Sequence, residues 1–72
     1  MSTMKYKGYT GRIMGMDERQ GLIHGRVVGI TDVVAFEGRN FEELVRAFRD
    51  SVDDYLEFCK ECQEAPEKPK LI

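Results

Sequence analysis

Over residues 40–63 the apolar positions recur at helical spacing: Phe41, Leu44, Val45, Phe48, Val52, Tyr55, Leu56 and Cys59. Steps of three and four residues put them on one stripe of a helix. Asn40 stands where an N-cap belongs, and Glu43 is placed to reach back as in a capping box. The remaining surface is charged: Glu42, Arg46, Arg49, Asp50, Asp53, Asp54 and Glu57. Spacings of three and four residues allow Arg46 and Arg49 to pair with Asp50 and Asp53. An acid-rich polar face is unlike the Lys- and Arg-rich face of membrane-surface helices. The pattern therefore predicts a long helix that buries its stripe against a sheet.

The period changes upstream. Residues 6–16 are aromatic, β-branched and methionine-rich, and read as a first strand; Gly8, Gly11 and Gly15 within it suggest bulges or close backbone approach. The cluster 17–21 signals a turn, and Leu22–Val28 reads as the return strand of a hairpin. Residues 29–32 form a second turn, 33–36 a short third strand, and Gly38 and Arg39 lead into the helix cap. The fold class is α+β, in the order β-β-β-α. A three-stranded antiparallel sheet, with room for a short fourth strand, packs against one long helix. By alternation Tyr9, Gly11, Ile13, Ile23, Gly25 and Val27 face the helix, the small residues allowing close approach. Thr10, Arg12, Met14, Leu22, His24 and Arg26 fall on the opposite, uncovered face. Pro66 stops the helix, so residues 1–65 make one domain and 66–72 a tail, in which Leu71 and Ile72 begin an element left incomplete.

Composition narrows the function. A core built from 72 residues is small, which makes a partner or self-association an expectation, with a dimer or larger oligomer as the form; the open sheet face and the sheet edges are the places for it. With 11 basic and 13 acidic residues the net charge is −2, so there is no bulk basic excess of the kind that marks nucleic-acid binders. No run is long and apolar enough to cross a membrane, and the first residues lack a signal-peptide core. The expectation is a cytoplasmic protein with reduced cysteines.

Candidate chemistry is sparse. Cys59 and Cys62 form a CxxC, but a zinc site needs four ligands and His24 is the sole histidine. The C-terminal end of a helix also disfavours thiolate. His24 has the chemistry of a general base, yet no nucleophile stands in a suitable context. Asp50, Asp53 and Asp54 belong to the solvated helix face. Neither a metal nor another cofactor is expected, and no residue is assigned to catalysis.

The segments Tyr6-Lys7-Gly8-Tyr9-Thr10-Gly11 and Gly21-Leu22-Ile23-His24-Gly25-Arg26-Val27 resemble the N-terminal domain of HicB-family antitoxins. So do Val33-Val34-Ala35-Phe36-Glu37-Gly38 and the helix with Glu42-Glu43-Leu44, Ala47-Phe48 and Ser51-Val52-Asp53-Asp54-Tyr55-Leu56. The resemblance spans nearly the whole chain. It implies a partial ribonuclease-H-like domain with a small fourth strand, which in bacterial toxin–antitoxin systems binds and masks HicA, a small basic RNA-cleaving toxin. Fuller family members continue into a ribbon-helix-helix or helix-turn-helix that binds DNA. This sequence ends at Ile72, so no DNA binding by the chain alone is expected. The clustered carboxylates of a two-metal nuclease, which hold ions about 4 Å apart, have no counterpart in the strands.

The expected function is thus a non-enzymatic module for a HicA-type toxin. Candidate contacts are Arg12, Met14, Leu22, His24 and Arg26 on the sheet and Asp50, Asp53, Asp54 and Glu57 on the helix. The alternatives are an orphan homo-oligomer without a toxin, and a degenerate nuclease or hydrolase of ribonuclease-H-like fold using His24.

Overall fold

The computed structural model describes residues 3–66. Four strands precede one helix: β1 (Thr3–Tyr6), β2 (Tyr9–Asp17), β3 (Leu22–Val28), β4 (Ala35–Gly38) and α1 (Phe41–Glu61). The strands form one antiparallel sheet in sequence order, β1-β2-β3-β4, an α+β fold. Of the tail expected at 66–72, residues 67–72 lie outside the described residues.

The segment 6–16, read as one strand, is split. Tyr6 pairs directly with Tyr9, and the two residues between them carry positive φ, 52° at Lys7 and 85° at Gly8. Two consecutive left-handed residues make the tight hairpin turn whose twist matches the strands it joins. Gly8 therefore serves a turn, whereas Gly15 marks a bulge: the β2–β3 register shifts between Ile13 and Gly15. Beyond the shift Met16 pairs with Ile23 and joins the parity of the helix-facing residues. The last strand runs Ala35–Gly38 rather than 33–36. Val33 is left outside the ladder and 76% exposed.

The helix begins as the capping pattern predicts. The Asn40 side chain accepts from the Glu43 N–H at 2.9 Å, and the Glu43 carboxylate accepts from the Arg39 N–H at 3.2 Å, one residue before the cap itself. At the other end Gln63 adopts φ 58°, with Gln63 N–H donating to the Lys60 carbonyl and Glu64 N–H to the Cys59 carbonyl. This left-handed Schellman closure ends the helix before Pro66 is reached.

Leu44, Phe48 and Val52 are fully buried on the helix stripe, and meet Met4, Tyr9, Val27 and Phe36 from the sheet. The Phe36 and Phe48 rings lie 5.2 Å apart. Glycines set how closely these layers approach. A Cβ on Gly11 would stand 2.8 Å from Phe48 Cδ1, and one on Gly25 would clash with Cε2 and Cζ of the Phe36 ring, which comes from the neighbouring strand. At Gly38 the helix backbone itself closes in, with Leu44 N 2.5 Å from where a Cβ would be.

Candidate functional site

Two surfaces remain once the core is built, and they lie on opposite sides of the sheet. The helix covers one side. The other is open and carries Thr3, Lys5, Thr10, Arg12, Arg26, His24, Glu37, Met14 and Leu22. The register puts Thr3, Arg12, Arg26 and Ala35 in one row across the four strands. Arg12 and Arg26 are thus direct cross-strand neighbours, both exposed. In the next row Lys5 stands opposite Thr10. His24 lies beside the arginines, its Nδ1 3.5 Å from the carboxylate of Glu37, its partner on β4. Of the sheet candidates, Arg12, His24 and Arg26 are brought together, while Met14 at the bulge and Leu22 at the strand end sit toward one margin.

The helix candidates separate by flank. Asp53 faces β1 and is engaged there. It accepts from Lys7 Nζ at 2.8 Å and from the Tyr6 hydroxyl at 3.1 Å, pinning the first hairpin turn to the helix. The expected Arg49 partner instead lies over the Tyr6 ring, 5.7 Å from its centroid. The pairing expected along the helix surface is overturned because the hairpin turn brings a closer cation to Asp53. The hydrogen bond from Lys7 is the main cause that holds the Asp53 carboxyl below its ordinary pKa, and the same bond raises that of Lys7.

Asp50, Asp54 and Glu57 are exposed on the helix, Asp54 on the flank toward β4, and Asp50 has no ion-pair partner among the described residues. On this flank Asp54 lines an open groove with Val33, Val34, Ala35, Ser51, Tyr55 and Phe58. Toward the end of the helix the groove continues to Asp32 and Glu64. Tyr55 shapes its floor, stacking edge-on against Tyr9 and donating to Asp32 at 2.8 Å. Phe58 is 60% exposed and Val33 76%, so two apolar side chains stand in water with carboxylates around them. Sequence periodicity did not single out Phe58 or Val33; Phe58 lies just off the stripe, and Val33 was placed within a strand. Lys5 and Glu37 were also missed, since their membership of the open face depends on the β1–β2 turn and the β3–β4 register.

Cys59 is buried and Cys62 exposed, and both are free thiols. Among the described residues no group of three or more His, Cys, Asp or Glu side chains is arranged to hold a metal ion. No helix of the described residues is long and apolar enough to cross a membrane. No family model, characterised protein or solved structure matches this chain.

Proposed function

We propose that this chain is a non-catalytic, cytoplasmic binding module of the antitoxin kind, which captures and masks a small basic RNA-cleaving toxin of the HicA type. One observation carries the reading: exposed Phe58 and Val33 are rimmed by Asp32, Asp54 and Glu64, with Glu57 and Asp50 continuing the acidic surface along the helix. Protein interfaces are anchored by apolar and aromatic side chains inside a polar rim. An acidic rim selects a basic partner and speeds its encounter. The resemblance of the sequence segments to HicB-type domains supplies the identity of that partner.

The reading divides the candidate contacts. Asp50, Asp54 and Glu57 serve the toxin together with Phe58 and Val33. Asp53 is spoken for by Lys7 and Tyr6. Arg12 and Arg26 would repel a basic protein, so the open sheet face is not its docking surface. That arginine pair also disfavours two copies packing face to face, because the guanidinium groups would meet and be desolvated. Self-association, if it accompanies the function, is better served by the sheet edges.

The test is co-expression with a small basic open reading frame adjacent to the gene of this chain. Growth arrest by the product of that frame, relieved by this chain and not by its Phe58→Asp variant, is the expected result. A toxic neighbour that this chain fails to neutralise would refute the proposal.

A further inference from the structure

The open sheet face points to a second ligand. We infer that the Arg12–Arg26 row, with Lys5 in the row beside it, binds the phosphate backbone of a single-stranded nucleic acid. The inference goes beyond the antitoxin reading and does not depend on it.

The register makes the row. The Val27 N–H donates to the Val34 carbonyl at 2.9 Å, which fixes the hydrogen-bonding alternation of β3. Residues 24, 26 and 28 therefore turn their backbone groups toward β2. Arg12 and Arg26 form a hydrogen-bonded cross-strand pair, for which the Cα separation is about 5.5 Å. Lys5 stands diagonal to Arg12, at about 7–8 Å. Like charges placed directly opposite each other destabilise a sheet. The chain has 13 acidic residues, yet neither Arg12 nor Arg26 has an ion-pair partner among the described residues, and Glu37 is turned to His24. An uncompensated arginine pair at the centre of a face is accounted for by an anion supplied from outside.

The chemistry of the surroundings selects phosphate over protein carboxylate. Around the cations stand the hydroxyls of Thr3 and Thr10, with small Ala35 at the end of the row. Arg, Lys and Thr are the side chains that contact phosphate oxygens, in interfaces that are polar and wet. A protein partner would need a large exposed apolar anchor at the centre of the patch; Met14, the large exposed apolar side chain of this face, lies toward its margin, and next to the cations stand only the half-buried Val28, opposite Thr10, and small Ala35. A second copy offering its acidic helix would bind head to tail, because the helix and the open face are on opposite sides, and such contacts propagate instead of closing into a pair. Shape selects a single strand over a duplex. Four strands spaced about 4.8 Å apart are too broad for a major groove about 12 Å wide, whereas a flat face accommodates an extended strand. Among the described residues this face carries no Phe, Tyr or Trp, and His24 is its one aromatic ring, so a stacking platform for successive bases is lacking and sequence preference should be weak. The net charge of −2 conceals the row, because the compensating carboxylates are gathered on the helix.

The experiment is fluorescence anisotropy of the full chain with a labelled short oligouridylate, at salt concentrations from about 50 to 200 mM. Three phosphate contacts give a log–log salt slope of about −2, or roughly a 20-fold loss of affinity over that range. The double variant Arg12→Gln/Arg26→Gln should weaken binding at least tenfold with an unchanged circular dichroism spectrum. Lys5→Gln, at the edge strand, should lower the slope by about 0.7. A polyglutamate peptide and a duplex of the same sequence length are the other arms. Absence of saturable binding at the lowest salt would overturn the inference, as would binding that survives Arg12→Gln/Arg26→Gln. Equal binding of polyglutamate, or tighter binding of the duplex, would also overturn it. The toxin takes no part in the assay, so either result leaves the antitoxin reading to its own test.

Discussion

The two faces of this sheet are written in the same strands, one residue apart, and obey different rules. On the helix side glycines lie under aromatic rings, with Gly11 beneath Phe48 and Gly25 beneath Phe36. Each position there is set by its neighbours' volume, since protein interiors are packed to crystal-like density. On the open side Arg12 and Arg26 face each other with no steric or electrostatic gain for the fold. Burial decides the first face. The second is free of that demand, so its unfavourable charge pairing is informative about ligands in a way that no inner residue can be.

Substitutions can break this contrast or sharpen it. The largest effect should come from Phe48→Ala, which removes a fully buried ring and should cost about 3–5 kcal/mol in a denaturant titration. A loss under about 1 kcal/mol would mean that the inner face is not packed as described. Gly25→Ala adds one methyl group against Phe36 and should cost about 1–3 kcal/mol by overpacking. A neutral result would show that the ring can move aside. On the open face, one position along the same strand, Arg26→Thr should change stability by less than about 0.5 kcal/mol, with gain as the expected sign because a like-charge contact is relieved. A loss above about 1 kcal/mol would show that Arg26 has a structural partner.

The smallest effect belongs to the contact that ties the first hairpin to the helix. The folded-state pKa of Asp53 is depressed, chiefly by the Lys7 hydrogen bond. Its contribution to stability is therefore present above the ordinary aspartate range and lost as the pH falls through the lower folded value. Lys7 is raised by the same bond, so its contribution holds below the ordinary lysine pKa and fades as the pH rises through the higher folded value. A carboxyl-detected NMR titration should find the Asp53 midpoint below the ordinary aspartate value. Lys7→Ala should move it upward; an unmoved midpoint would remove the latch from the account.

The inner face was legible in the sequence because burial imposes periodicity. The stripe from Leu44 to Cys59, the Asn40 cap and the parity of Tyr9, Ile13, Ile23 and Val27 all express one demand, that apolar surface leave water; Phe41, expected on that stripe, is the exception, 51% exposed at the first turn of the helix. The Lys7-Gly8 turn was not legible, because its local signal is weaker than that of Asn-Gly or Asp-Gly and the apolar run continues through it. That turn decides where Lys7 and Lys5 lie. With it unseen, Asp53 was matched to helical arginines and Lys5 was left out of the open face. The bulge before Gly15 had a signal in the glycine itself, but its consequence, the transfer of Met16 to the helix side, depends on register. The groove residues were the hardest to find. Phe58 and Val33 break the patterns of their own elements, and a residue at odds with its pattern becomes informative only when its neighbours are known.

The central claim is that the two faces serve different partners, and association kinetics with the basic toxin test it most directly. One variant carries Asp50→Lys, Asp54→Lys and Glu57→Lys on the helix; the other carries Arg12→Gln and Arg26→Gln on the sheet. Steering by a charged surface is expressed in the association rate and fades with salt. The helix variant should associate at least tenfold more slowly than the unaltered chain at low salt, and the sheet variant should match or exceed it. Slower association of the sheet variant, with the helix variant unaffected, would contradict the assignment of the faces.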